Sequence, residues 1–428
     1  MRLLELIGKE WRELAASRAY WLLLVMIGPL VGHAFITAVE SYADASAGGA
    51  LPQGLSPLDG ILVPTFGAYD IAVTLLFPFV AIRLVSSEKE SGALKLMLQS
   101  PASMTTMLAA KGIALIAGWL IAWVPGLIAL ALWRIYGGSL YAPELLNLLL
   151  GHLLRVVLSS GIAVAAAAIA KTAASAAIAT LGFTVGTWAL EFIAEGRGGW
   201  LHTVAAYTPT AALRFFEQGL LRLNTALVML LLGVAGFALA GAWLRDSRDR
   251  WKKTVAVVVA SAAIVVAGSL PRAAWDLSEN RRNSFSESEE AALRQIHLPL
   301  RVAVNLAPED PRLADLDRNV LSKLERILDR VEIDYTSRTR SGLFEGDRYG
   351  EVWYEIGGRK TMLRSTTEPI VLETIFKLAG VAGPAQTGSE TYQGHPLAAR
   401  PAGAAWIYYL LWPFAVVIGA LLEFRHRS

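Results

Sequence analysis

Residues 86–103 read SSEKESGALKLMLQSPAS. A charged run, Glu88-Lys89-Glu90, meets Ser91 and Gly92. An apolar helical turn with Leu94, Met97 and Leu98 follows. Ser100-Pro101 then stops it, because a proline pushes the preceding residue out of the helical region. On both sides, over 66–85 and 108–132, the chain is apolar. Each flank reaches the roughly 20 residues that a membrane-spanning helix needs. The stretch is therefore expected to be a short, polar-faced helix held close to a membrane. The simpler reading is a solvated loop between two spans.

Working outward, eight segments reach spanning length: 19–39, 66–85, 108–132, 145–170, 174–194, 225–244, 254–270 and 405–422. The 428 residues are 54% hydrophobic and 18% charged, whereas soluble proteins are roughly a quarter charged. So apolar a chain is not disordered. Zero Cys excludes a disulfide scaffold, a thiolate metal site and a Cys nucleophile. A net charge of +3 is too small to suggest a nucleic-acid partner.

The charges are unevenly spread. Residues 271–400 hold 18 Lys/Arg and 20 Asp/Glu and read as a soluble domain. With the N-terminus placed inside, the inner segments carry 16 Lys/Arg and the remaining outer ones only 5. Short cytoplasmic loops carry that excess. Both termini are thus expected in the cytoplasm and residues 271–400 outside. Signal-peptide cleavage near Ala45-Ser46-Ala47 is the competing reading, but the apolar core exceeds the roughly 7–15 residues of a signal peptide.

Before the first span, Leu3, Leu4, Ile7, Trp11 and Leu14 form one helical stripe, with Glu5, Lys9, Arg12 and Glu13 around it. Such a helix is expected either to lie in the interface plane with its apolar face toward lipid or to form a simple cytoplasmic cap on the first span. The expected organisation is an interfacial helix over 1–18, a six-span core over 19–250, a seventh span over 251–270, an extracytoplasmic block over 271–400 and an eighth span over 405–422. The fold class is a mostly α membrane protein with a small α/β domain.

The 86–103 stretch resembles the coupling loop of type-2 ATP-binding-cassette (ABC) exporter permeases, in particular the NosY-like and gliding-associated members. Glu88, Glu90, Gly92, Leu94, Met97, Leu98 and Pro101 fall on the motif positions, while Ala93 stands where the family usually has Thr. In that family the loop is a coupling helix that docks on a cytosolic ATPase. The resemblance covers about residues 1–253. It implies that Lys89 and Ser91 also belong to the ATPase-contacting run. It further implies a dimeric ATPase partner that binds ATP and Mg, a second permease copy or homologue, and a bacterial inner-membrane location. This chain itself is expected to bind no cofactor and no metal.

Within the spans, His152 and Arg155 lie early in span four and Glu191 near the outer end of span five. Ionisable residues in spans usually face a bundle interior or pathway. Near an interface, snorkelling is the cheaper account. No carboxylate is read at a membrane midplane, which argues against a secondary carrier. Gly28-x-x-x-Gly32 and Gly182-x-x-x-Gly186 allow close helix approach or dimerisation. Pro29 and Pro125 are expected to kink their helices. The segment 195–224 carries Trp200, Tyr207, Pro209, Phe215 and Phe216 and is too polar to span. The resemblance implies short outer helices there that gate an exit; an interfacial aromatic belt is the simpler reading.

The outer block opens with Asp276-Leu277-Ser278-Glu279-Asn280. Ser286-x-x-Glu289 is a capping box for a helix to Ile296. Strands are expected over 300–306 and 331–335, with a helix over 315–330 between them. A hairpin over 351–364 turns at Gly357-Gly358, and a helix over 368–378 ends at Gly380. The order β-α-β-β-β-α suggests a thioredoxin-like outline without thiol chemistry. Residues 276–286 and the stretch PLRVAVNLAPEDP resemble the opening of the GldG-type auxiliary domain of gliding-associated systems. Residues 382–404 read as a linker. A periplasmic or envelope partner is expected on this domain.

No catalytic constellation is present. The chain has no G-x-x-x-x-G-K-[ST], no H-E-x-x-H and no G-x-S-x-G, and its six His are scattered. The expected function is the permease subunit of an ABC exporter. The alternative is a non-transporting scaffold that recruits envelope proteins.

Overall fold

The structure is a computed structural model. It describes all residues except 1–2, 49–54, 100–102, 195–199, 206, 245–249, 308–309, 336–347, 385–391 and 426–428. Among the described residues, eight helices are long and apolar enough to cross a membrane. Spans one to four are Arg18–Ala47, Leu58–Glu90, Met104–Ile135 and Ala142–Ile169. Spans five to eight are Ala173–Ala194, Leu223–Leu244, Arg250–Ser269 and Ala404–Arg425. Two compact units form: one from residues 1–186, 222–273 and 392–428, the other from 187–221 and 274–391.

In the first unit, span four packs on spans two and six, span six also on span seven, and span one on spans two and eight. The second span starts earlier than expected, at Leu58, and runs on to Glu90. Residues 58–65 precede the expected span because Asp59, Gly60 and Pro64 interrupt the apolar pattern. Span two breaks at Leu76, just before Pro78. A proline donates no hydrogen bond to the carbonyl four residues back. Here that is Thr74 O, and the Thr184 hydroxyl of span five donates to it at 3.1 Å. In span three, Pro125 starts a new helical segment, and Gly126 N donates to the Tyr69 hydroxyl at 2.8 Å.

Gly28 and Gly32 do serve close approach, but within one chain. A Cβ on either would overlap Trp412 or Tyr408 of span eight. Trp412 Nε1 donates to Leu24 O at 2.7 Å and Tyr408 Oη to Pro125 O at 2.9 Å. Residues 392–403 are likewise more than a linker. Leu55 bridges Gly394, the Tyr42 hydroxyl donates to His395 O at 2.7 Å, and Leu397 and Ala399 pack beside Trp133 and Tyr42.

The second unit contains the α/β domain. After the short strands β1 (Leu220–Arg222) and β2 (Ala274–Asp276), its strands β3 (Leu300–Val304), β4 (Val331–Tyr335), β5 (Val352–Ile356) and β6 (Arg359–Leu363) lie in the order β4-β3-β5-β6. The β3–β4 pair is parallel and the other two are antiparallel. The chain reaches β6 through Gly357 and Gly358, both at positive φ. Alternate residues Leu300, Val302, Val304, Val352, Tyr354 and Ile356 are buried against Val320, Leu324, Val371 and Ile375 of the helices. The capping box at Ser286 is present, opening Glu287–Leu293. The helix expected at 315 starts at Pro311 instead, because Asp310 caps it, and it runs through a π-helical step at Asp317–Leu321.

Asp310 also anchors this domain. Arg312 Nη2 donates to it at 2.7 Å and the Tyr349 hydroxyl at 2.7 Å. The Arg312 hydrogen bonds, with that of Tyr349, hold its carboxyl down at about 2 from 3.8. A depressed folded-state pKa stabilises fully above the unfolded value, and the gain is lost as the pH falls through the folded one. Because Arg312 is half exposed, about 1–2 kcal/mol is expected to disappear between pH ~4 and ~2. Hydrogen exchange of the β5 amides in the full chain should show that loss, and Asp310→Asn should abolish its pH dependence.

Candidate functional site

The helix Leu3–Ala15 lies against the start of span three. Leu6 is buried with Met107 and Ala110, and Leu14 enters the main core. Leu3 and Leu4 of the expected stripe stay exposed. The buried face is Leu6, Glu10 and Leu14, and it meets protein, while Leu4 is 79% exposed.

Glu10 on that face is fully buried. Lys111 Nζ of span three donates to its Oε2 at 2.7 Å, and to Leu84 O at 3.1 Å. Lys111 also pairs with Glu88 Oε2 at 2.8 Å. Lys9 contacts Glu88 Oε1, Glu10 Oε1 at 3.2 Å and Glu13 Oε1 at 3.0 Å. Two ammoniums and two buried carboxylates, with Glu13 at the rim, thus pin the N-terminal helix to spans two and three. Burial raises the Glu10 carboxyl pKa, and Lys111 opposes the rise. Burial also works against the Lys9 charge, but Glu88, Glu10 and Glu13 outweigh it and lift the ammonium above its ordinary value. Glu10, Glu13 and Glu88 come close enough together to hold a cation. The Lys9 and Lys111 ammoniums play that part.

The short helix Ala93–Leu98 is hung from this network. Span two continues to Glu90, and Gly92 at φ +77 turns the chain. Only glycine adopts that conformation without steric cost. Met97 packs on the Leu6, Met107 and Ala110 cluster, with its sulfur 3.2 Å from Lys9 Nζ. Lys89 reaches the end of span four and donates to Ala167 O, Ala168 O and Ala170 O at 2.8, 3.0 and 2.6 Å. A cation at a helix C-terminus satisfies the free carbonyls and the helix dipole.

The run therefore divides in two. Glu88, Lys89 and Met97 turn inward and position the helix. Glu90, Ser91 and Leu96 face out, with Leu96 71% exposed, and Leu94 is half-buried. Leu98 ends the helix, and Pro101 lies outside the described residues. Leu96, Glu10 and Lys111 were not singled out in sequence. A polar residue on the inward stripe of the N-terminal helix was the available signal for Glu10.

A second polar node sits at the break in span two. Arg155 Nε of span four meets Asp70 Oδ1 at 3.0 Å, and its Nη2 meets Thr74 Oγ1 at 3.4 Å. His152 is 1% exposed, with its ring 5.7 Å from that of Phe66. Neither residue snorkels; both face the bundle interior. Asp70, inside the expected second span, is the carboxylate that offsets the cost of burying Arg155 in a low dielectric.

In the second unit, Glu191 Oε1 pairs with Arg214 Nε at 2.8 Å. Trp200 opens the helix Trp200–Ala205. Phe216 is fully buried and Phe215 half-buried in or beside the helix Pro209–Glu217, so Phe216 is a packing residue. A Cβ on Gly182 or Gly186 would meet nothing within 4 Å.

Eight candidate spans among the described residues, with an ion-locked short helix between the second and third, describe a multi-pass membrane protein. Residues 4–267 match the ABC-2 family transporter protein family, and the chain belongs to it. It is a membrane permease component of an ABC transporter. The match ends inside span seven. No curated protein and no solved structure matches the chain.

Proposed function

We propose that this chain is the permease subunit of a NosY-like, gliding-associated type-2 ABC exporter. A separate dimeric ATPase, carrying ATP and Mg, docks on the helix Ala93–Leu98. Two permease copies or homologues enclose the pathway in a bacterial inner membrane. The charge distribution supports cytoplasmic termini and an extracytoplasmic 271–400 block, which offers a surface to a periplasmic or envelope partner. The observation that carries the reading is the helix itself. It presents Leu96 outward on a rigid mount, where a push transmits through Lys9, Glu88 and Lys111 into spans two and three.

The test uses the absence of native cysteine. Leu96→Cys should cross-link to the ATPase in the reconstituted complex. A complex that turns over ATP without any cross-link from this position would refute the docking assignment.

A further inference from the structure

The run that follows span seven makes more hydrogen bonds than a tether needs. The Asp276 carboxylate accepts from Ser278 N at 3.1 Å, Ser278 Oγ at 2.5 Å, Asn283 N at 2.9 Å, Asn283 Nδ2 at 3.2 Å and Ser284 Oγ at 2.9 Å. Five donors on one carboxylate close residues 276–284 into a knot.

The knot also grips the segment between spans five and six. Asn283 Nδ2 donates to Gln218 O at 2.8 Å, and Leu277 N donates to Gly219 O at 2.8 Å. Ser278 and Asn283 are 3% and 8% exposed. Gly219 has φ +80, and a Cβ there would stand 2.9 Å from Ser278 Cβ and 3.1 Å from its Cα. The joint is thus closed to any larger residue. The ion pair of Glu191 with Arg214 ties the same helix, Pro209–Glu217, to the outer end of span five. Residues 187–221 and 274–391 accordingly form one compact unit.

We propose that Asp276 is a positioning residue that latches the helix Pro209–Glu217 to the α/β domain, so that the two move as one body and a partner bound to the domain acts directly on the transport exit. That this helix lies at an exit rests on the function proposed above; the latch does not. A domain on a free linker would recruit a partner without affecting the bundle. A latched domain converts partner binding into a displacement of the helix.

The test uses the full chain in lipid nanodiscs. Spin labels on Tyr207→Cys and Arg301→Cys, both exposed positions, should give one narrow distance distribution. Gly219→Val should widen it about twofold or more, and Asn283→Ala, which removes the Gln218 bond and one of the five donors to Asp276, should widen it less. A label pair on Arg301→Cys and Met362→Cys, within the domain, should stay unchanged in both variants. A broad distribution in the parent chain, or an unchanged width in Gly219→Val, would overturn the latch. A disulfide between Gln218→Cys and Asn283→Cys should leave ATP turnover of the reconstituted complex within about twofold of the reduced form. A fall of about tenfold or more would mean that the two parts separate during the cycle, which also overturns it. The distance measurement needs no ATPase, so its outcome is independent of the transport reading.

Discussion

Replacing Lys111 with Met is expected to cost the folded chain about 3–5 kcal/mol. Met keeps the aliphatic stem and removes the ammonium. Glu10 and Glu88, at 0% and 2% exposure, would then face each other with only the half-buried Lys9 between them. Stripping one partner from a buried ion group leaves a charge with neither water nor counter-ion. The Glu10 carboxyl pKa is already raised by burial. A raised carboxyl favours the protonated folded form, so the defect should shrink as the pH falls toward that of a protonated carboxyl. Thermal unfolding in mild detergent at two pH values measures both effects. The double variant Glu88→Gln/Lys111→Met removes one charge of each sign and should recover part of the loss. A residue that merely filled space would show neither the pH dependence nor the rescue.

The second large effect is expected from Gly161→Val. Spans four and six meet backbone to backbone. A Cβ at 161 would stand 2.1 Å from Gly233 O, and one at Gly236 would stand 2.4 Å from Gly161 C. A side chain in the way could rotate aside, but a helix backbone cannot, so the spans must part. Overpacking a core typically costs 1–3 kcal/mol. A backbone clash across the main helix contact of the bundle belongs at or above the upper end of that range. The expected result is a large drop in monodisperse protein after solubilisation and a lower unfolding midpoint. Gly182→Val is the matched control, because nothing lies within 4 Å of its Cβ, and its folding should be little changed.

Local signals were legible where the physics is local. Apolar length located all eight spans. The Ser286 capping box, the Gly357-Gly358 turn and the Gly380 helix end are each decided within a few residues. Partnerships between distant residues were not legible. Glu10 and Lys111 are 101 positions apart, and each alone looks like a solvated charge. Asp70 lies inside the expected second span, but its pairing with Arg155, 85 positions away, depends on how spans two and four pack. Without that partner Arg155 looks like a snorkelling residue. Gly28 and Gly32 showed that something packs closely on span one. That it is Trp412 and Tyr408, nearly four hundred positions away, depends on the whole fold.

The candidate docking run shows the same limit. Its charged residues looked like an exposed face. Of the run Glu88-Lys89-Glu90, the first two instead hold the helix in place, while Leu96 faces out. The motif positions thus mix mounting residues with contact residues, and only geometry separates them.

The central claim is that the helix Ala93–Leu98 receives the ATPase. The most direct measurement is site-specific cross-linking in the reconstituted, ATP-hydrolysing complex. It compares Leu96→Cys with Leu298→Cys, an exposed control on the α/β domain. The account predicts a cross-link to the ATPase from position 96 and none from 298. A cross-link from 298, or none from 96 in a complex that turns over ATP, would contradict it.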